Sequence, residues 1–351
     1  MSVTTVDPSE VISLAGVQSA RRRITPFIKR TPLVHNQTLS HRLGTNVYLK
    51  LEMFQRTGAF KVRGAFNKML SLSASERERG VVAVSGGNHA QAVACAAREL
   101  GVRALVLMPE STPVNYLEAT RRYGAEVVLE GNMQQAFARA HEYEARGYTH
   151  IHPFDDPLVI AGQGTIGLEI LEDVPQVTDV FVSIGGGGLA AGVGTAIKGL
   201  QKAIRPQVRI WGVETEGADS MAQALAANRV VELPRITSIA RTLGAPAVSE
   251  TTLALAQRYL EDVTVVSDAE ALSALRLLLE RAKIVTEPAA SCTLAAAERL
   301  KDNFSEKDHV VLILCGGNLP LVDLFQPEQG HLELTRSHGN VIAQPPAAQL
   351  F

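Results

Sequence analysis

Lys61 lies in the run T-G-A-F-K-V-R-G-A-F (Thr57 to Phe66), behind a glycine and an aromatic residue. A lysine so placed is either an ordinary surface charge or a reactive amine held in a pocket. Three other runs bear on the choice. In S-I-G-G-G-G-L-A-A-G (Ser183 to Gly192), Gly185, Gly186, Gly187 and Gly188 follow an apolar run and precede a helix-like one. Without side chains, successive backbone N–H groups can converge on an anion, and a helix N-terminus adds its dipole. The plain alternative is a tight strand–helix turn, but such a turn needs one or two glycines rather than four. Gly185, Gly187 and Ala190 also satisfy a loose dinucleotide fingerprint, with Glu214 ending the next strand where a ribose contact would sit. No Lys-Ser/Thr pair follows the glycines, which argues against an ATP P-loop.

The run S-G-G-N-H-A-Q (Ser85 to Gln91) again joins a strand to a helix. Its small residues, Ser85, Gly86 and Gly87, let a carboxylate approach backbone N–H groups, and Asn88 can donate a side-chain amide. Helix capping is the alternative for Asn88 and His89. C-G-G-N (Cys315 to Asn318) ends the last strong strand, where Cys315 either meets the edge of a ring or is a core cysteine. A phosphate cradle together with Lys61 suggests pyridoxal phosphate, whose aldehyde needs a lysine amine and whose phosphate needs an anion site. On spacing alone, a surface lysine stays open.

These runs need a scaffold that brings them together. Short apolar strands at 47–52, 80–85, 103–108, 125–130, 179–184, 208–213 and 309–314 alternate with helical patterns such as 90–100 and 269–283. That alternation predicts an α/β fold with mainly parallel, doubly covered sheets. Ligands of such sheets bind beyond the carboxyl ends of the strands, where the four runs fall. Asp7-Pro8-Ser9-Glu10 reads as a helix start, and Arg21 to Arg23 suit its C-terminal end. Residues 80–156 carry three strand–helix pairs and are expected to form a small substrate-binding domain. Residues 1–79 plus 157–325 form the large cofactor-binding domain. Residues 326–351, rich in Gln, Pro, Ala and His, read as a tail too short for a regulatory domain.

The chain has 351 residues, 46% hydrophobic and 20% charged, with a formal net charge of −2. The size suits two domains, and the charge gives no field for nucleic acid or an anionic membrane. Cys95, Cys292 and Cys315 are few and far apart, which argues against a disulfide framework or a cysteine metal site. No apolar run reaches a membrane span and no signal-like segment opens the chain, so a cytoplasmic protein is expected.

The four runs together resemble the fold-type II pyridoxal-phosphate enzymes of the serine/threonine dehydratase and serine racemase group. H-P-F-D-D-P-L-V-I-A-G-Q-G-T-I-G-L-E-I (His152 to Ile170) and K-I-V-T-E-P-A-A (Lys283 to Ala290) resemble that group as well, and the likeness runs in consistent order over roughly residues 10–325. It implies two open, twisted, mainly parallel sheets like those of the tryptophan synthase β-subunit, and a homodimer. Lys61 matches the lysine that holds the cofactor covalently and later moves the Cα proton. Phe60 matches the aromatic beside the cofactor ring and Asn88 the partner of the ring hydroxyl. Gly185, Gly186, Gly187, Gly188 and Leu189 match the phosphate loop. Ser85, Gly86, Gly87, Asn88 and His89 match the substrate-carboxylate loop. Glu287 matches an acidic position near the ring, with an ordinary helix-start carboxylate as the alternative.

Three departures refine what the resemblance implies. Ala59 stands where serine is common. Cys315 stands where serine is common at the pyridine nitrogen, and a thiol is the weaker donor. Gly86 stands where the racemases carry the serine that works on the second face of Cα, so one-faced elimination is favoured over racemisation. A divalent-cation site near Glu214 and Ala218 lacks a carboxylate at Ser220, and no metal is expected. The implied reaction is β-elimination from L-threonine or L-serine, giving a 2-oxo acid and ammonia. Phenylserine or 3-hydroxyaspartate as substrate, and serine racemase activity, are the alternatives. No isoleucine feedback through a regulatory domain is expected.

Overall fold

The computed structural model describes residues 12–204 and 207–320. The first described helix is Leu14–Ile24, started by the Ser13 hydroxyl accepting from the Gly16 N–H. The helix start expected at Asp7 to Glu10 and the tail beyond 325 lie outside the described residues. A single compact unit ends at Leu319 and contains two sheets.

The larger sheet has strands β1 (Leu33–His35), β2 (Asn46–Leu51), β7 (Asp179–Ser183), β8 (Arg209–Thr215), β9 (Asp262–Val266) and β10 (His309–Leu314). Their order is β1-β2-β10-β7-β8-β9, with only β1 antiparallel to its neighbour. The smaller sheet has β3 (Val81–Val84), β4 (Ala104–Pro109), β5 (Glu126–Glu130) and β6 (Thr149–His150), in the all-parallel order β5-β4-β3-β6. Successive side chains of β3 and β4 serve opposite faces. Val81, Ala83 and Val106 join the core under the helix Asn88–Leu100, whereas Val82, Val84, Leu105 and Leu107 pack on Ala136 and Ala140 of the helix Met133–Ala145.

Every strand expected from the sequence is present, to within two residues at either end. β1, β6 and β9 were not expected. β1 and β6 hold three and two residues, too few to show a period, and all three are edge strands. The helix expected over 269–283 is shorter: it runs Asp268–Leu277, passes into a π-turn over Leu278–Ala282 and stops where Lys283 adopts φ 60°. Its start is a capping box between Ser267 and Glu270. Among the described residues no helix is long and apolar enough to cross a membrane.

The helix Pro157–Asp173 holds the chemistry-bearing segments at fixed spacing. Its residues from Val159 to Ile170 are all buried, with Gln163, Thr165 and Glu169 the polar ones among them. Gly162 meets Gly64 of the helix Val62–Leu70 backbone to backbone, since a Cβ there would lie 2.7 Å from the Gly64 Cα. Gly164 meets Gly192 of the helix Gly188–Ile204 in the same manner, 2.7 Å from its carbonyl oxygen. One helix thus clamps the segment after Lys61 on one side and the segment after the glycine loop on the other.

A buried ionic cluster locks the first contact. Arg63, fully buried, donates from Nε and Nη2 to Glu52 at 2.9 and 2.8 Å, and from Nη1 and Nη2 to Glu169 at 2.7 and 3.0 Å. Lys50 adds a bond to Glu169 and one to the Thr31 carbonyl at 2.8 Å. Burial alone would raise the Glu169 carboxyl, but Arg63 and Lys50 hold it below the usual range. Removing one partner of such a set strands a buried charge, at a cost of about 3–5 kcal/mol. Arg63→Met is therefore expected to lower unfolding stability by about that amount in a urea titration, whereas the exposed Arg42→Met, which loses a surface pair with Glu298, should change it by less than about 1 kcal/mol.

Candidate functional site

Lys61 is held by a short antiparallel clasp. Gly58 adopts φ 73°, open only to glycine without strain, and a Cβ there would also overlap the Asn318 amide. Ala59 bridges to Gly316, the Phe60 N–H donates to the Cys315 carbonyl at 3.0 Å, and the Gly317 N–H donates to the Gly58 carbonyl at 2.9 Å. The chain then enters the helix Val62–Leu70 with Lys61 as its first flanking residue. The Lys61 Nζ donates to the Pro153 carbonyl at 2.8 Å and lies 5.1 Å from the centre of the Phe60 ring. Burial pushes its ammonium down to about 8, against the opposite pull of Cys315 and Glu287. This is not a surface lysine.

The glycine loop lies against the same segment. Gly186 and Gly188 pack on Phe154, the neighbour of Pro153: a Cβ on Gly186 would overlap the Phe154 ring, and one on Gly188 would come within 2.8 Å of the Phe154 carbonyl oxygen. A Cβ on Gly185 would lie 2.9 Å from the Leu243 carbonyl oxygen, and one on Gly187, which adopts φ 89°, would lie 2.8 Å from Thr252 Cβ. Each of the four glycines thus has a packing reason, which the tight-turn alternative did not foresee. They also open the 17-residue helix Gly188–Ile204, whose opening backbone bond runs from the Ala191 N–H to the Gly187 carbonyl. The N–H groups before Ala191, that of Leu189 among them, are the unpaired donors of a helix start.

The run Ser85 to His89 is tied to several other segments. Gly87 flanks the helix Asn88–Leu100 with no side-chain cap. Asn88 and His89 sit inside the first turn, so neither is a cap and that alternative fails. The Asn88 amide donates to Glu287 Oε1 at 2.8 Å and accepts from Asn318 at 2.9 Å. His89 is buried, with Nε2 2.7 Å from the Ile151 carbonyl, so Nε2 carries the proton. Burial, and then Lys61, press its charged form well below the usual range. The Ser85 hydroxyl accepts from the Gly87 N–H at 3.1 Å, which shapes the loop. Glu287 is nearly fully buried; burial lifts its carboxyl to about 7 although Thr242 and Asn88 donate to it. Its Oε2 has no hydrogen-bond partner of good geometry, with the Asn318 N–H nearby. Glu287 does occupy the N-cap position of the helix Pro288–Arg299, as the helix-start alternative has it, but its side chain makes no capping bond and turns to Asn88 and Thr242 instead.

Cys315 is buried, and its thiol is held well above its ordinary value by burial and by Glu287. Its Sγ lies 3.6 Å from the Ala289 carbonyl. Cys292 contacts Ser183 at 3.5 Å behind it. Cys95 is buried as well, and all three cysteines are free. Glu214 does not face the glycine loop as a ribose contact would. Its two oxygens accept from the Met221 and Ala222 N–H groups at 2.9 and 2.8 Å, and it satisfies the start of the helix Ser220–Ala227 instead.

Among the described residues, buried side-chain atoms without a hydrogen-bond partner include Thr57 Oγ1, His89 Nδ1 and Glu287 Oε2 in these segments and Thr112 Oγ1 in the loop after β4, besides His150 Nε2 and Gln163 Nε2. Buried polar atoms are normally paired, and a cluster of unpaired ones in converging segments is what a site awaiting a bound group shows. A depressed lysine amine, a glycine-cradled helix start and a ring of unsatisfied donors and acceptors fit a phosphorylated aldehyde. Pro153, Phe154, Thr242 and Asn318 help build the site although no role was expected for them. Pro153 and Phe154 lie in the run His152 to Ile170 and Asn318 in the run Cys315 to Asn318, whereas Thr242 lies in none of the motif-bearing runs.

Residues 24–316 match the family described as pyridoxal-phosphate dependent enzyme, and the chain belongs to that family. Its cofactor is pyridoxal phosphate and its fold is that of fold type II. Among its relatives, the L-threonine ammonia-lyase of Thermotoga maritima is 41% identical over 314 residues, covering 88% of this chain and 76% of that protein. The L-threonine dehydratase catabolic TdcB of Staphylococcus aureus is 38% identical over 325 residues, covering 91% and 93%. Of solved structures, maize serine racemase superposes with a TM-score of 0.84 at 32% identity, covering 89% of this chain and 95% of that one. The threonine deaminase of T.th. gives 0.82 at 39% identity, covering 90% and 100%.

An amine with a value of about 8 is protonated and unreactive below that pH and nucleophilic above it. Cofactor-free protein mixed with pyridoxal phosphate should capture the aldehyde at a rate that rises with pH and levels off past a midpoint near 8. Stopped-flow absorbance reads the rate; a midpoint near 10 would mean a solvent-like lysine.

Proposed function

We propose that this chain is an ammonia-lyase that eliminates water from L-threonine, and from L-serine, to give 2-oxobutanoate or pyruvate and ammonia. Support comes from the threonine ammonia-lyase and threonine dehydratase names of relatives at 38–41% identity over most of the chain. One observation carries the reading: the Lys61 amine, lowered to about 8, is moored to the Pro153 carbonyl next to Phe154, on which the glycine loop packs, and lies within the field of Glu287.

Bound pyridoxal phosphate supplies an electron sink that eases loss of the Cα proton and of the β-hydroxyl. In this reading Lys61 Nζ holds the cofactor and then takes the Cα proton. N–H groups of Gly185 to Leu189 would hold the phosphate. Asn88, through its remaining amide hydrogen, would hold the ring hydroxyl, Phe60 would pack beside the ring, and the Cys315 thiol, kept protonated by burial, would meet the ring nitrogen. A thiol donates more weakly than a carboxylic acid would and leaves that nitrogen without a full charge. Glu287 holds Asn88 in place. Ser85 to His89 receive the substrate carboxylate. Gly86 offers no acid for the second face of Cα, which disfavours racemisation.

Residues 80–156, which contain β3 to β6, serve as the substrate-binding domain in this reading, and 1–79 plus 157–325 as the cofactor-binding one. A cytoplasmic homodimer fits the family likeness and the free cysteines. The test is ketoacid and ammonia release from a panel of 3-hydroxy amino acids that includes phenylserine and 3-hydroxyaspartate. Threonine or serine should lead, Lys61→Ala should lose essentially all turnover, and borohydride should attach the cofactor to Lys61. Wild-type-like release by Lys61→Ala would sink the mechanism, and preference for an acidic or aromatic substrate would sink the substrate assignment.

A further inference from the structure

Thr112 lies in the loop after β4, and Gly86 in the loop after the neighbouring parallel strand β3. The Ser85 N–H donates to the Leu107 carbonyl at 3.1 Å and keeps the two strand ends in step. The Thr112 N–H donates to the Pro109 carbonyl at 2.9 Å, so the second loop folds back in a tight turn. Pro113 follows, which restricts Thr112 to extended backbone, a conformation that suits its β-branched side chain. The outcome is a hydroxyl placed directly over Gly86. A Cβ on Gly86 would lie 2.7 Å from Thr112 Oγ1 and 3.6 Å from Thr112 Cβ.

That hydroxyl oxygen is shielded from solvent and has no hydrogen-bond partner. An unpaired buried hydroxyl is costly, and nothing in the packing requires it, since a methyl group fills the same volume. Its neighbours are the small residues that leave the loop Ser85 to His89 open. We propose that Thr112 is a substrate-contact residue whose hydroxyl donates to the carboxylate of the amino acid seated on that loop, and that Gly86 lacks a side chain because Thr112 fills its space. The proposal rests on the amino-acid lyase reading. Thr112 completes the loop from the adjacent strand end: glycine at 86 gives room, and threonine at 112 returns a donor to that room.

The test compares holoenzyme carrying Thr112→Val, which keeps the shape and loses the hydroxyl, with Thr112→Ser, which keeps the hydroxyl. Hydrogen bonds to charged groups are worth about 1.5–3 kcal/mol, or roughly 10- to 100-fold in affinity. Thr112→Val should raise KM for threonine, and the dissociation constant for non-eliminating L-alanine read from the cofactor absorbance, by at least about tenfold. Its kcat should stay within about threefold and its Tm should not fall, because the orphan hydroxyl is gone. Thr112→Ser should stay within about threefold of wild type in both constants. Thr112→Ala replaces the valine variant should that fail to fold. An affinity change below about twofold in Thr112→Val overturns the proposal, as does an equal loss in Thr112→Ser, which would assign the effect to packing. If wild type releases no ketoacid from any 3-hydroxy amino acid, the lyase reading fails while the L-alanine titration still decides the role of Thr112.

Discussion

The fully buried guanidinium of Arg63, gripped by Glu52 and Glu169, is the constraint on which the site depends. Arg63 is two residues beyond Lys61, Glu52 follows β2, and Glu169 lies on the central helix Pro157–Asp173. Three separate pieces of chain are thus fixed to one charge. Charges taken out of water tolerate only close, saturated geometry. The guanidinium is saturated, with bonds to both carboxylates and to Thr165 at 3.1 Å. A shift of the Lys61 helix along its axis would break several of these bonds together, so the reactive amine inherits the rigidity of the cluster behind it.

The same central helix transmits that rigidity to the glycine loop. Its glycines bring neighbouring backbones into direct contact, at Gly64 on one side and Gly192 on the other. Close-packed interiors accommodate added atoms poorly. The distance between the amine and the glycine loop is therefore set by backbone contacts rather than by side chains that could swing. The run A-G-Q-G-T-I-G reads in sequence as a family signature. In the structure it is the spacer between two halves of a site that it does not itself line.

What the sequence disclosed, and what it withheld, follows from locality. The strands were legible because five or six apolar residues in a row need no partner to be recognised. β1 and β6 were not, being edge pairings of two or three residues defined only by the strand beside them. Lys61, the four glycines and the Ser85 to His89 loop were legible because each is a compact run with a local chemical logic. The Pro153 carbonyl, Thr242 and Thr112 were not. Each acts on a residue far away in the chain: Pro153 on Lys61, Thr242 on Glu287 and Thr112 on Gly86. Capping was a fair reading of Asn88 and His89 by local rules, and it failed because Glu287, Asn318 and Ile151 reach those side chains from elsewhere.

The resting tether of the amine carries a consequence for how this enzyme can change. Lys61 is moored to a main-chain oxygen, that of Pro153, and not to any side chain. No codon change can delete a carbonyl. Drift at position 153 leaves the mooring chemically intact, and only displacement of the peptide itself loosens it. Such displacement runs into Phe154, wedged against Gly186 and Gly188. Heritable variation is thereby steered away from the nitrogen that reacts and toward the walls that choose what reaches it.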